Sequence, residues 1–174
     1  MRRLGLNVIL GMIPVLILNG PNLNLLGTRE PDRYGHESLN DVNARLVNLA
    51  SELDLKAICY QTNHEGEMID FIHGSRSGDH AAAGARAAII NAGAWTHTSI
   101  ALRDAMLAVA LPFIEVHISN VYAREGFRKH SYLSDIAQGT ICGLGTEGYC
   151  AALRALARTL HTTTPTMENE HGYS

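Results

Sequence analysis

Two stretches of this chain carry side chains able to move protons and to bind an anion. Tyr34 follows Arg29 by five residues, on a stretch with glycines at both ends, Gly27 and Gly35. A phenol ionises near pH 10 and is a poor base at neutrality, but a neighbouring guanidinium lowers that value by roughly one to three units. The pair therefore suits a phenolate general base with a fixed cation beside it. The second stretch is Glu115-Val116-His117-Ile118-Ser119-Asn120. His117 suits the partner acid, oriented by Glu115 or another carboxylate. Backbone N–H groups of Ile118 and Ser119 suit a bound carboxylate. Together these residues point to acid–base work on a small carboxylate, without naming it.

Elements must bring these stretches together. Short apolar runs rich in β-formers alternate with helix-period segments. Strands are expected at Ile13 to Leu18, Leu55 to Tyr60, Ala87 to Asn91, Phe113 to Ile118 and Thr140 to Leu144. Ser38 caps a helix, with Asp41 at its third position, and Leu39, Val42, Leu46, Leu49 and Leu53 form one apolar stripe. A second helix starts near Asn63 or Glu65, with Met68, Ile69 and Ile72 inward, and Gly74 to Gly84 reads as a loop. Thr98 or Ser99 caps a third helix running to about Ala110. Thr146 caps a last one carrying Leu153, Leu156 and Leu160. Five strands alternating with helices imply an α/β fold: a parallel sheet covered on both faces, of which the flavodoxin-like doubly wound order is the simplest.

Ligands in such sheets sit beyond the carboxyl ends of the strands. The polar density lies there: Asn19 to Gly27 with Arg29 and Tyr34, then Asn91-Ala92-Gly93 with Thr96 to Ser99, then Glu115 to Asn120 with Arg124, Arg128 and His130. Singly, each has a plainer reading. Asn-Gly-Pro-Asn makes turns, a strand histidine sits satisfied in a core, and Thr-x-Ser caps a helix. Their meeting at three strand ends is what favours a small anionic, hydroxylated ligand.

The 174 residues suit one domain, with 46% hydrophobic and 18% charged residues. A formal charge of −3 does not suggest a nucleic-acid or anionic-membrane surface. Cys59, Cys142 and Cys150 form no C-x-x-C pair and read as buried, inert thiols. The nine histidines show no metal-ligand spacing. Arg2 and Arg3 precede an apolar stretch, but it runs into Asn19-Gly20-Pro21-Asn22 with no cleavage site and is too interrupted to span a bilayer. Residues 1–12 are expected to be an extension, 13–161 a single catalytic domain and 162–174 a polar tail. The expected setting is cytoplasmic.

The segment Asn19 to Gly35 resembles the N-G-P-N-L-N-x-L-G-x-R-x-x-x-x-Y-G signature of type II 3-dehydroquinate dehydratases. So do Gln61 to Glu67, Ile90 to Gly93 with Thr96 to Ser99, and Glu115 to Asn120. Arg124-Glu125 with Phe127-Arg128 and His130-Ser131, then Gly143 to Gly145 with Gly148-Tyr149, extend the resemblance from about Ile13 to Leu160. It implies a lyase of the shikimate pathway that converts 3-dehydroquinate to 3-dehydroshikimate by anti elimination, without metal or organic cofactor. Tyr34 would take the C2 proton to give an enolate, and Arg29 would keep Tyr34 ionised. Asn22 would orient a water that stabilises the enolate oxygen. His117, held by Glu115, would protonate the departing C1 hydroxyl. The resemblance also implies that Asn91, Ile118 and Ser119 hold the carboxylate and that His97 and Arg128 contact ring hydroxyls. Asp104 would reach into a neighbouring subunit's site within trimers that assemble into homododecamers. The stretch from Leu26 to Gly35 is expected to act as a lid.

Three other readings compete. A flavin- or nucleotide-binding module on the same fold would want a G-x-G-x-x-G or Ser/Thr-rich phosphate loop, which Asn-Gly-Pro-Asn is not. A phosphoacceptor signalling domain needs aspartates where Asn19 and Asn91 stand. A zinc hydrolase would use His97, His117 and His130.

Overall fold

The computed structural model describes residues 11–28, 37–78 and 80–162. Five parallel strands make one sheet: β1 (Ile13–Asn19), β2 (Leu55–Gln61), β3 (Ala87–Asn91), β4 (Phe113–His117) and β5 (Gly139–Cys142). Their order, β2-β1-β3-β4-β5, is the flavodoxin-like one. Among the described residues four α-helices cover it: α1 (Leu39–Glu52), α2 (Glu65–His73), α3 (Ile100–Val109) and α4 (Glu147–Thr162). Among the described residues no helix is long and apolar enough to cross a membrane.

Alternation along the strands splits the core in two. Val15, Ile17, Ile89, Ile114 and Val116 face α1 and α4, packing on Leu46, Leu153 and Leu156. Leu16, Leu18, Ile90 and Phe113 face α2 and α3, packing on Met68, Ile72 and Leu102. Strands buried on both faces read as continuous apolar runs, which is why β1, β3 and β4 end within a residue of where the sequence places them. Ser38 caps α1 in a capping box with Asp41, as expected, and the Asp41 carboxyl is held below its ordinary value first by the Ser38 hydroxyl.

Three expectations need correcting. β5 is shorter than foreseen, because Gly143 and Gly145 take φ of 80° and 59°; their N–H groups instead donate to the carbonyls of His117 and Ile118. The 74–84 segment is not simply a solvent loop. Ala82 is fully buried there, and Gly74 packs so close to the His80 ring that a Cβ would lie 2.1 Å from it. Cys59 and Cys142 are only half-buried, beside a buried Cys150. Burial still pushes all three thiols up, Cys59 to about 11, so they stay protonated and unreactive at neutrality.

Candidate active site

The carboxyl ends of β1, β3 and β4 enclose a cleft. Its walls include Asn22, Asn91, Gly93, His97, His117, Ile118, Ser119, Arg124 and Arg128, with Leu23, Leu26 and Val121 among the apolar ones. Among the described residues no carboxylate lines it, while the guanidiniums of Arg124 and Arg128 do. That balance favours an anion.

Its floor requires two glycines. The turn after β1 presses on the turn after β3, and a Cβ on Gly20 would meet the Ala92 carbonyl oxygen at 2.4 Å. Gly93 takes a φ of 58°, a region that side chains with a Cβ rarely enter. Asn22 has a φ of 67°, which asparagine tolerates better than most residues. Its backbone N–H donates to Asn63 Oδ1 at 2.8 Å, and Gln61 Nε2 donates to the Gly20 carbonyl at 3.2 Å, so the end of β2 holds this turn.

On the β4 side stands an imidazole–carboxylate dyad. Glu115 is fully buried and His117 is 6% exposed. The His117 Nε2–H donates to Glu115 Oε1 at 2.9 Å, leaving Nδ1 as the ring nitrogen available to a ligand. The same Oε1 accepts from Ser131 Oγ at 2.8 Å and Thr96 Oγ1 at 3.3 Å. Ser131 Oγ itself accepts from the N–H groups of Leu133 and Ser134, so its hydrogen is committed to Glu115. In the sequence Thr96 stood only in the polar run after β3 and in the family motifs, and Ser131 only in those motifs, neither with an assigned role. Their partnership with Glu115 crosses 16 and 19 residues and left no local signal.

On the β3 side, His97 ends a 3-10 turn (Gly93–His97), and its Nδ1–H donates to the His130 carbonyl at 2.6 Å. A carbonyl only accepts, so Nε2 of a neutral His97 is the lone-pair nitrogen, suited to a ligand hydroxyl. Arg128 and Arg124 share Glu125, at 3.1 and 3.5 Å. The Glu125 carboxyl is held low by its own backbone N–H first and by these two cations next. Arg124 was noted in the sequence as part of the polar run and of the family motifs, with no role assigned; the fold puts it in the wall.

Residues 13–157 match the family profile described as Dehydroquinase class II. The chain belongs to that family. It is 55% identical over 150 residues to the 3-dehydroquinate dehydratase of Marinobacter nauticus, covering 86% of this chain and 99% of that one. It is 55% identical over 146 residues to a catabolic 3-dehydroquinase of Pyricularia oryzae, covering 84% and 90%. Among solved structures it is similar to the type II dehydroquinase from Propionibacterium acnes, with a TM-score of 0.76 and 44% identity over 83% of this chain and 96% of that one.

For this dehydroquinase chain, Asn22, Asn91, His97, His117, Ile118, Ser119 and Arg128 all line the one cleft, with Glu115 directly behind His117. Asp104 does not; it is exposed on the outer side of α3. Arg29, Tyr34 and most of the expected lid lie outside the described residues, of which Leu26 is buried beneath the cleft. The zinc reading finds no support in the geometry. Among the described residues no three His, Cys, Asp or Glu side chains are grouped to hold a metal.

Proposed function

We propose that this chain removes water from 3-dehydroquinate to give 3-dehydroshikimate, a reaction of the shikimate pathway. The observation that carries the reading is the buried Glu115–His117 dyad opening into a cleft with cationic walls in a member of this family. Tyr34, kept ionised by Arg29, takes the proton on C2, next to the ketone. The electron pair passes into an enolate, steadied by a water that Asn22 orients. The pair then forms the C1–C2 double bond as the C1–oxygen bond breaks, and His117 Nδ1 gives its proton to the departing hydroxyl. Glu115 stabilises the imidazolium that precedes this transfer. Asn91 with the backbone of Ile118 and Ser119 holds the carboxylate, and His97 and Arg128 hold ring hydroxyls.

Asp104 completes the site of a neighbouring subunit in trimers that build a homododecamer. Ile100 and Leu107, 57% and 52% exposed, flank Asp104 one turn away on either side along the same face of α3, where a second copy would cover them. The setting is cytoplasmic, where unpaired thiols stay reduced.

The deciding experiment follows the ultraviolet absorbance of the conjugated enone formed from 3-dehydroquinate. Tyr34→Phe lowers kcat about 1,000-fold with the fold intact, as loss of a general base does. Turnover within tenfold of the parent would discredit Tyr34 as the base, and no enone from the parent chain would discredit the reaction itself.

A further inference from the structure

The mechanism leaves one buried group unused. Tyr149, in the first turn of α4, is fully buried, and its phenol lies between the ends of two strands. Its O–H donates to Asn19 Oδ1 at 2.6 Å, 130 residues away, and accepts from Asn91 Nδ2 at 2.8 Å. Asn91 Oδ1 in turn accepts from the Gly93 N–H at 3.3 Å.

This chain of bonds runs in one direction only. A backbone N–H needs an acceptor, so the Asn91 oxygen must be the atom facing Gly93. Its nitrogen then faces Tyr149, and the phenol must accept there. The phenol has one hydrogen, which therefore goes to Asn19. Asn91 Nδ2 carries two hydrogens and spends one on the phenol. Asn91 lines the cleft, so what its amide can still offer a ligand is a donor. A flipped amide would offer a carbonyl oxygen, which repels an anionic oxygen.

We propose that Tyr149 is a positioning residue that, together with the Gly93 N–H, holds the amide of Asn91 in this orientation, and so helps the cleft select a carboxylate. The inference rests on the reading of the cleft as a 3-dehydroquinate site. Tyr149 touches no reacting atom; it acts through Asn91. Asn19 is the backstop, because without its oxygen the phenol hydrogen is free to turn toward Asn91 and favour the flipped amide. Burial keeps the phenol protonated well above its ordinary range, so the direction of the chain does not change with pH near neutrality.

The test uses the full chain, with 1,3,4,5-tetrahydroxycyclohexane-1-carboxylate and its methyl ester as competing inhibitors. Tyr149→Phe keeps the ring and removes the hydroxyl. We expect KM to rise about tenfold with kcat changed less than about threefold, and the acid-over-ester preference to shrink about tenfold, the size of one lost charge-assisted hydrogen bond. A role confined to stability would weaken acid and ester alike. Asn19→Ala, which leaves Tyr149 in place, should move the same preference in the same direction by about threefold. It decides the question should Tyr149→Phe fail to fold. An unchanged acid-over-ester preference in a folded variant overturns the inference. Absence of turnover in the parent overturns the reaction instead, because the preference is also readable by calorimetric binding.

Discussion

The cleft draws its two halves from opposite faces of the same sheet, and the halves are built from different chemistry. On the face toward α1 and α4, β1 and β3 end in Asn19 and Asn91, neutral amides tied by the neutral phenol of Tyr149. On the face toward α2 and α3, β4 carries Glu115 and His117, both ionisable, tied by the hydroxyls of Ser131 and Thr96. Each half is fixed by hydroxyl groups from outside its strands, and each leaves one buried polar atom without a partner among the described residues, Asn19 Nδ2 and Glu115 Oε2. The physical difference is what each can do in a buried setting. Fixed neutral dipoles cost little to bury and hold a charge that arrives with the ligand. A buried ionisable pair costs more, and its return is a proton that can be released at one atom. The neutral half should therefore govern KM and the ionisable half kcat.

His117→Ala makes the largest break. Removing the proton donor to the leaving hydroxyl should lower kcat about 1,000-fold, with KM within about threefold, by steady-state kinetics. A kcat loss below tenfold would end the division of labour. Glu115→Gln is next. Glutamine keeps an oxygen able to accept from His117, Ser131 and Thr96 but removes the charge that stabilises imidazolium, so kcat should fall about 10- to 100-fold. Its new N–H₂ enters the buried place of Glu115 Oε2, which has no hydrogen-bond partner among the described residues, and a donor left unpaired there would destabilise the fold by about 1–3 kcal/mol in urea titration. Ser131→Ala is gentler. One of three bonds to Glu115 is lost, and kcat should drop about fivefold with KM unmoved. A matching rise in KM would show that the two halves are mechanically joined.

The neutral half was also the harder one to read in the sequence. β1, β3 and β4 were legible because strands buried on both faces are apolar runs ended by Asn or His, and α1 because Ser38 and Asp41 announce its start. Glu115 and His117 were legible because an i, i+2 pair on a strand shares a face. Tyr149 was not, since an aromatic in the first turn of an amphipathic helix reads as core and its partners lie 58 and 130 residues away. Thr96 and Ser131 failed for the same reason. α1 shows a smaller miss: Leu49 and Leu53 are only partly buried, and Ala50 takes the fully buried place. Local pattern carries period and capping; it does not carry which hydroxyl meets which strand end.

The finest separation of the halves is at alkaline pH. Burial, the largest cause, pushes the Tyr149 phenol above its ordinary value of 10.0; the Asn91 N–H opposes that shift and Cys59 adds to it. In the unfolded chain this tyrosine ionises at its ordinary value, while the folded chain keeps its proton to higher pH. Above about pH 10 the unfolded state therefore binds fewer protons than the folded one, and stability falls as pH rises through that window. Phenylalanine has no proton to lose there. Tyr149→Phe should be less stable than the parent near neutrality, yet lose less between about pH 8 and about pH 10.5 when both are unfolded in urea. Tyr60, which burial also raises, is common to both proteins and cancels in the difference. His117→Ala, which keeps the Tyr149 phenol and its partners, should follow the parent's alkaline limb. Parallel losses in parent and Tyr149→Phe would mean that the phenol ionises as readily folded as unfolded. The amide half of the cleft would then owe its neutrality to solvent rather than to the depth at which Asn19, Asn91 and Tyr149 are packed.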